Sequence, residues 1–218
     1  MGGMKFGIQL VCGLALLMAL CGCSTMYYST MEKFGQEKRD ILVSRVDKAR
    51  DSQQATQEVF QDALKQFGAV VKFDGGDLQK QYDKMSVELA RCESRAADVH
   101  TRIQDVDKVA QDLFREWAAE AKTYENETYR RDSEAKLRDT KQNYTRMIGA
   151  MRNAESKIGP VLSVFRDQVL YLKHNLNARA LASLQDESAK VEMDVNRLIQ
   201  DLSTAIAEAD RFIQTMGN

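Results

Sequence analysis

From Leu78 to Trp117, steps alternating between four and three residues land on Leu78, Tyr82, Met85, Leu89, Cys92, Ala96, Val99, Ile103, Val106, Ala110, Leu113 and Trp117. Glu120 then breaks the stripe before Tyr124, and Ala121 beside it can cover the gap. A stripe held over so many turns predicts a helix, about 77–124, that buries one narrow seam against others, as in a coiled coil. The same spacing runs through Leu42, Val46, Ala49, Gln53, Thr56, Phe60, Ala63, Phe67 and Val70, which predicts a helix over about 27–72. Gln53 and Thr56 are polar interruptions of that seam; they set register or face a groove rather than hold a ligand. Leu137, Tyr144, Met151, Ile158, Phe165 and Leu172 recur at strict sevens and predict a third helix, about 132–174. A fourth, about 177–216, carries Leu181, Leu184, Ser188, Val191, Val195, Leu198, Leu202, Ala205, Ala209, Phe212 and Met216.

The breaks between these stripes are chemically distinct. Phe73-Asp74-Gly75-Gly76-Asp77 offers glycines for a reversal and Asp77 as a cap for the second helix. The segment Asn126 to Asp132 reads as a loop, with Asp132 or Ser133 capping helix three. Gly159-Pro160 interrupts helix three, yet the seven-residue phase carries across, which predicts a kink rather than a reversal. The phase does change after Leu172. A turn is placed at His174 to Asn177 with Asn177 as cap, the alternative being one continuous helix joining the third and fourth. A chain of 218 residues with one proline and no Gly- or Ser-rich linker then reads as all-α. The expected fold is a single domain over 27–218, an elongated antiparallel four-helix bundle of up-down-up-down order. At ~1.5 Å per residue, such helices would make a rod roughly 60–70 Å long.

The amino-terminal segment has a different pattern. Lys5 is followed by an apolar stretch from Phe6 to Leu20, broken only by Gln9 and closed by Leu20-Cys21-Gly22-Cys23. At roughly 15 residues the stretch is short of the ~20 that a helix needs to span a bilayer. A basic start, an apolar centre and small residues near a cut are the parts of an export signal. Leu20 at minus three, Gly22 at minus one and the cysteine that follows resemble the lipobox of bacterial lipoproteins. That resemblance implies a signal peptide over 1–22, cleavage before Cys23, and a diacylglycerol plus an amide-linked acyl chain (palmitate-type) on Cys23. Residues 23–26 would form the lipid-anchored start of the mature chain. Ser24 follows the anchor where retention in the inner membrane favours Asp, so the expected address is the outer membrane, facing the periplasm. Cys12 and Cys21 would leave with the signal, and Cys92 would stay as a lone thiol with no disulfide framework. Its place on an apolar stripe predicts a buried core residue.

Charge narrows the partners. The formal net charge is −1, and balance of this kind argues against nucleic acid, whose binding proteins usually present a basic face. The four-helix order would bring the 73–77 and 174–177 turns together at the end far from the lipid. Asp74, Asp77, His174, Asn175, Asn177 and Arg179 collect there, either as turn chemistry alone or as a tip that docks a partner. The two carboxylates and one histidine have no metal-ligand spacing, so no metal and no cofactor beyond the covalent lipid is expected. Tyr27, Tyr28, Tyr124 and Tyr129 would gather at the lipid end, with Arg130 and Arg131 toward anionic head groups. There they meet the bilayer interface, the alternative being that Tyr27 and Tyr124 simply close the bundle end. No nucleophile elbow, phosphate loop or His-Glu-x-x-His is present, and the chain is not expected to be an enzyme.

Five separated blocks carry a family likeness: 26–35 (Met26-Tyr27-Tyr28-Ser29-Thr30 onward), 38–43, 73–78, Phe165-Arg166-Asp167-Gln168-Val169-Leu170 and Leu172 to Ala180. In these the chain resembles domain-of-unknown-function family 2959, a set of proteobacterial envelope proteins. The resemblance implies a helical fold and an envelope address, and no established activity. The function expected is a helical scaffold, spacer or adaptor held on the membrane by its lipid, working with another envelope protein. A periplasmic module that binds a peptide, lipid or cell-wall fragment is the alternative. Self-association into a homo-oligomer stays open.

Overall fold

The structure, a computed structural model, describes the backbone of residues 4–73 and 75–216, and the side chains of these apart from residues 4–36 and Ala178. It contains four helices: α1 (Met4–Val71), α2 (Leu78–Ala121), α3 (Glu127–His174) and α4 (Ala178–Met216). The all-α expectation holds. The chain divides into two units, Met1–Ile41 and Leu42–Asn218, and the bundle is the second. Leu42 is the first buried residue among those described.

Antiparallel pairing follows from which side chains meet. On α1 and α2, Arg45 pairs with Asp105 at 3.5 Å, Ser52 bonds Asp98 at 2.6 Å and Gln66 bonds Gln81 at 3.2 Å. Partners therefore fall in number along α2 as they rise along α1. Trp117 donates to Ser133, Tyr144 to Asp107 and Arg166 to Glu93, which sets α2 against α3 in the same sense. Asn153 bonds Asp201 across α3 and α4. Arg50 reaches Asp210 at 3.1 Å and Gln57 reaches Ser203 at 3.3 Å, which closes α4 back onto α1. Neighbours in sequence are neighbours in space, and the fourth helix completes the ring. This is the up-down-up-down bundle.

The predicted stripes are the core. All nine seam positions of α1, from Leu42 to Val70, are buried, as are the six residues of α3 at strict sevens. Two aromatic clusters tie the helices together beyond ordinary contact. Phe165 of α3 meets Phe60 and Phe67 of α1 at ring-centroid distances of 6.4 and 6.3 Å across the bundle diagonal. Tyr144 meets Phe114 of α2 at 5.3 Å and Phe212 of α4 at 6.3 Å. Between the clusters lie Ser52, Gln53 and Thr56, all buried. Thr56 bonds the Ser52 carbonyl and Ser52 bonds Asp98, but neither amide atom of Gln53 has a partner. With Gln53 and Thr56 both at 0% exposure, they face the interior and not a groove.

Several boundaries differ from expectation, each for a local reason. The helical backbone of α1 starts at Met4 rather than near Tyr27, because the Leu, Ala and Met residues of the amino-terminal segment are good helix formers. From Glu127 onward the 126–132 segment is helix, not loop, with Asn126 as its cap. The Asn126 side chain accepts from the Thr128 and Tyr129 N–H groups, and Glu127 sits in the first turn where the helix dipole favours it. Asp132 and Ser133 are consequently not caps; Asp132 pairs with Lys136, and Ser133 receives the Trp117 indole. α2 stops at Ala121, where the Lys122 and Thr123 N–H groups bond back to Ala119 and Glu120. Tyr124 thus falls outside the seam, while Ala121 is buried beside Glu120. Pro160 lies inside an unbroken α3, with Gly159 and Pro160 both facing solvent, so no reversal occurs there. Asn177 does cap α4, accepting from the Ala180 N–H at 3.1 Å, and α3 and α4 are separate helices.

An unpaired buried amide costs about 1–3 kcal/mol. Gln53→Leu should therefore raise unfolding free energy by roughly that amount in a urea titration. A loss of stability instead would mean that the amide is hydrogen-bonded in solution.

Candidate functional site

The two reversals place the turns after α1 and after α3 at the same end of the bundle, as the helix order requires. Their polar residues are engaged locally. Asp77 accepts from the Lys80 N–H at 3.3 Å, Asn177 caps α4, and Asn175 donates its side-chain N–H to the Tyr171 carbonyl at 3.0 Å. Gly76 adopts φ +118°, which an L side chain would adopt only with strain. His174 stands in the last turn of α3, where a basic group complements the dipole, and it is exposed, as is Arg179. Asp74 lies outside the described residues. Among the described residues no hydrogen bond or ion pair joins one turn to the other, and no three His, Cys, Asp or Glu side chains converge as a metal site. The structure brings the predicted residues to one end without assembling them.

A denser polar arrangement lies halfway along the α2–α3 face. Asp107 is its centre. Tyr144, buried in the core, donates its hydroxyl to Asp107 Oδ1 at 2.5 Å, and Arg152 Nη2 reaches Oδ2 at 2.9 Å. Two turns back along α2, His100 Nδ1 is 2.5 Å from Glu155 Oε1, and Gln104 Nε2 is 2.8 Å from His100 Nε2. An amide nitrogen can only donate, so His100 Nε2 accepts and its Nδ1–H points at the carboxylate. Ile103, Lys108 and these groups other than Tyr144 line a half-open depression of about 350 Å³. The Tyr144 hydrogen bond first, and Arg152 behind it, hold the Asp107 carboxyl below its ordinary range, against the opposing effect of burial. Burial first, then Asp107, pushes the Tyr144 phenol well above its ordinary range. The phenol therefore stays protonated and acts as a fixed donor. This set of groups can bind and orient a polar ligand.

The pattern alone did not single out this arrangement. His100 fits no recognised constellation, and Asp107, Arg152 and Glu155 look like ordinary solvated charges. The one available signal is spacing. His100, Gln104 and Asp107 fall at i, i+4 and i+7, one edge of α2 beside its seam.

Other features are structural. Cys92 is fully buried, its Sγ 3.9 Å from the Val59 carbonyl, and burial with nearby Glu88 raises its thiol to about 12. Asp47 and Asp51, a repulsive pair by spacing, are bridged by Arg50 at 2.6 and 2.8 Å. Tyr124 and Tyr129 are 46% and 63% exposed, so they do not close the bundle end. Arg130 and Arg131 both pair with Glu127. The side chains of Cys23, Tyr27 and Tyr28 lie outside the described residues, and among the described residues no helix is long and apolar enough to cross a membrane.

A family model described as "Protein of unknown function (DUF2959)" matches residues 27–216. The chain belongs to this family. The match spans most of α1 and all of α2, α3 and α4, so the DUF2959 region includes the whole bundle. No curated protein and no solved structure matches the chain detectably. Membership in DUF2959 therefore brings no residue roles with it, and the chemistry must be read from the side chains.

Two outcomes follow. Tyr144→Phe removes the donor that lowers the Asp107 pKa, so at pH 7 the variant should be less stable by about 1.5–3 kcal/mol. Because the folded-state value is depressed, Asp107 stabilises the fold at neutral pH, and this stabilisation is lost as pH falls through that value. The gap between wild type and variant should thus narrow in acid, as urea titrations at several pH values would reveal. Cys92 in the native protein should resist iodoacetamide at pH 8 and react once the chain is unfolded in urea. Rapid native labelling would contradict the buried thiol.

Proposed function

We propose that this protein is a non-enzymatic lipoprotein of the bacterial envelope, a helical scaffold, spacer or adaptor anchored to the outer membrane through Cys23 and facing the periplasm. The observation that carries the proposal is Leu20-Cys21-Gly22-Cys23 behind a short apolar stretch, a pattern that accounts for the cysteine as well as the export signal. Ser24 supports the outer-membrane address. Two further features support the role. The bundle spreads its burial along four long seams, an arrangement that sets distance and presents long lateral faces rather than enclosing a substrate. Exposed Tyr124 and Tyr129 flank the turn between α2 and α3, at the end of the bundle opposite the 73–77 and 175–177 turns, a placement suited to a polar–apolar boundary. Partner contact would fall at the opposite tip, around Asp77, His174 and Arg179, or along the faces. A second reading, a binding module, is favoured by the α2–α3 depression.

In cells, globomycin should leave an uncleaved precursor, and Cys23→Ala should abolish lipid labelling and outer-membrane recovery. Normal maturation of Cys23→Ala would contradict the anchor. Photocrosslinkers at Asp77, Asn177 and mid-bundle positions should capture defined envelope proteins. Capture of nothing specific from any position would contradict the adaptor role.

A further inference from the structure

We propose that the depression between α2 and α3 binds a small zwitterion, a carboxylate and an ammonium separated by a few bonds, as in a free amino acid or a short peptide. The inference is independent of the lipid anchor and rests on what the local network leaves available. Asp107 has both oxygens engaged, by Tyr144 and Arg152, and His100 has both nitrogens engaged, by Glu155 and Gln104. These two side chains are committed to the network and do not by themselves offer a matched pair of charges to a ligand.

The groups around them do. At the Asp107 end, Lys108 makes no ion pair or hydrogen bond among the described residues, and Arg152 uses only Nη2. Five guanidinium N–H donors and three ammonium donors are more than one carboxylate can take, so this end presents positive donors to an anion. At the His100 end, Gln104 donates through nitrogen and leaves its carbonyl oxygen open, while Glu155 leaves its second carboxylate oxygen open. This end presents acceptors to a cation. Gln104 and Lys108 are one helical turn apart, about 6 Å of rise. A ligand bridging the two ends needs opposite charges at that short separation, oriented with its carboxylate toward Lys108 and its ammonium toward Glu155. A simple anion would satisfy one end and leave the other unmatched; so would a simple amine. The volume of about 350 Å³ lies at the low end of the ~300–1,000 Å³ typical of small-molecule pockets, which fits an amino acid or dipeptide. Tyr144 matters here as a prop, since it holds Asp107 in the position from which Asp107 orients Arg152.

The test is a chemical-shift titration of the isotope-labelled protein, as isolated in detergent, with four probes: alanine, alanyl-alanine, alaninamide and N-acetylalanine. The zwitterions should shift resonances around 100–108 and 152–155 saturably, with Kd on the order of 1 mM. Alaninamide lacks the carboxylate and N-acetylalanine the ammonium, so each should bind at least roughly tenfold more weakly. Tighter binding of alanine or of alanyl-alanine would identify the source as free amino acid or short peptide. Lys108→Ala, a change at an exposed position, should weaken zwitterion binding by roughly tenfold with an unchanged thermal melt. The proposal is overturned if neither zwitterion gives a saturable shift, if the singly charged analogues bind as well, or if Lys108→Ala binds as tightly as wild type.

Discussion

Each described helix carries one narrow apolar stripe on an otherwise charged surface, and that constraint dictates the rest. Such a helix is too polar to be surrounded and too apolar on one side to stand alone in water. The only arrangement that removes every stripe from solvent is mutual: four seams meeting on a common axis. Short connections then force antiparallel neighbours. The turns at 72–77, 122–126 and 175–177 leave room for nothing else. Which polar residues share an end, and which meet halfway along a face, follows from this geometry.

The bundle's surface chemistry divides accordingly. At the ends, Asn and Asp side chains satisfy the N–H groups that helices leave open, as Asp77, Asn126 and Asn177 all do. Along the sides, most ion pairs are exposed and contribute little individually. The α2–α3 face stands apart because one member of its network, Tyr144, is itself a seam residue. A phenol at a core position can reach outward with its hydroxyl while its ring stays in the aromatic cluster with Phe114 and Phe212. Core packing thereby fixes a surface carboxylate, and a fixed carboxylate fixes Arg152. Rigid polar geometry on an open face is uncommon without such an internal support.

How far the sequence foretold this depends on the kind of signal. Burial was legible nearly residue by residue, since periodicity reports the inward face directly; Leu42 to Val70 and Leu137 to Leu172 are the plainest cases. Turn caps were legible where glycine or a phase change marked them, as at Asp77 and Asn177. Asn126 was misread because its neighbours Glu127, Thr128 and Tyr129 look loop-like, although a side-chain oxygen positioned for two N–H groups is enough to start the helix there. The Asp107 network was legible only as a spacing along α2, which names no partner. Its members come from two helices, and the α2–α3 register that brings Arg152 to Asp107 is set by packing, which a single-helix pattern does not contain. The tip residues show the converse: foreseen as neighbours, they share an end yet bond only within their own turns.

The central claim is that α4 closes the ring against α1. It is tested most directly in a variant with every native cysteine replaced by alanine and Gln57→Cys with Ser203→Cys added, treated with a short bis-maleimide at low protein concentration. These two positions are hydrogen-bonded across the α1–α4 seam, so an intramolecular crosslink should form in high yield in the folded chain and disappear in urea. Crosslinks only between chains, or none in the folded protein, would contradict the closed four-helix ring.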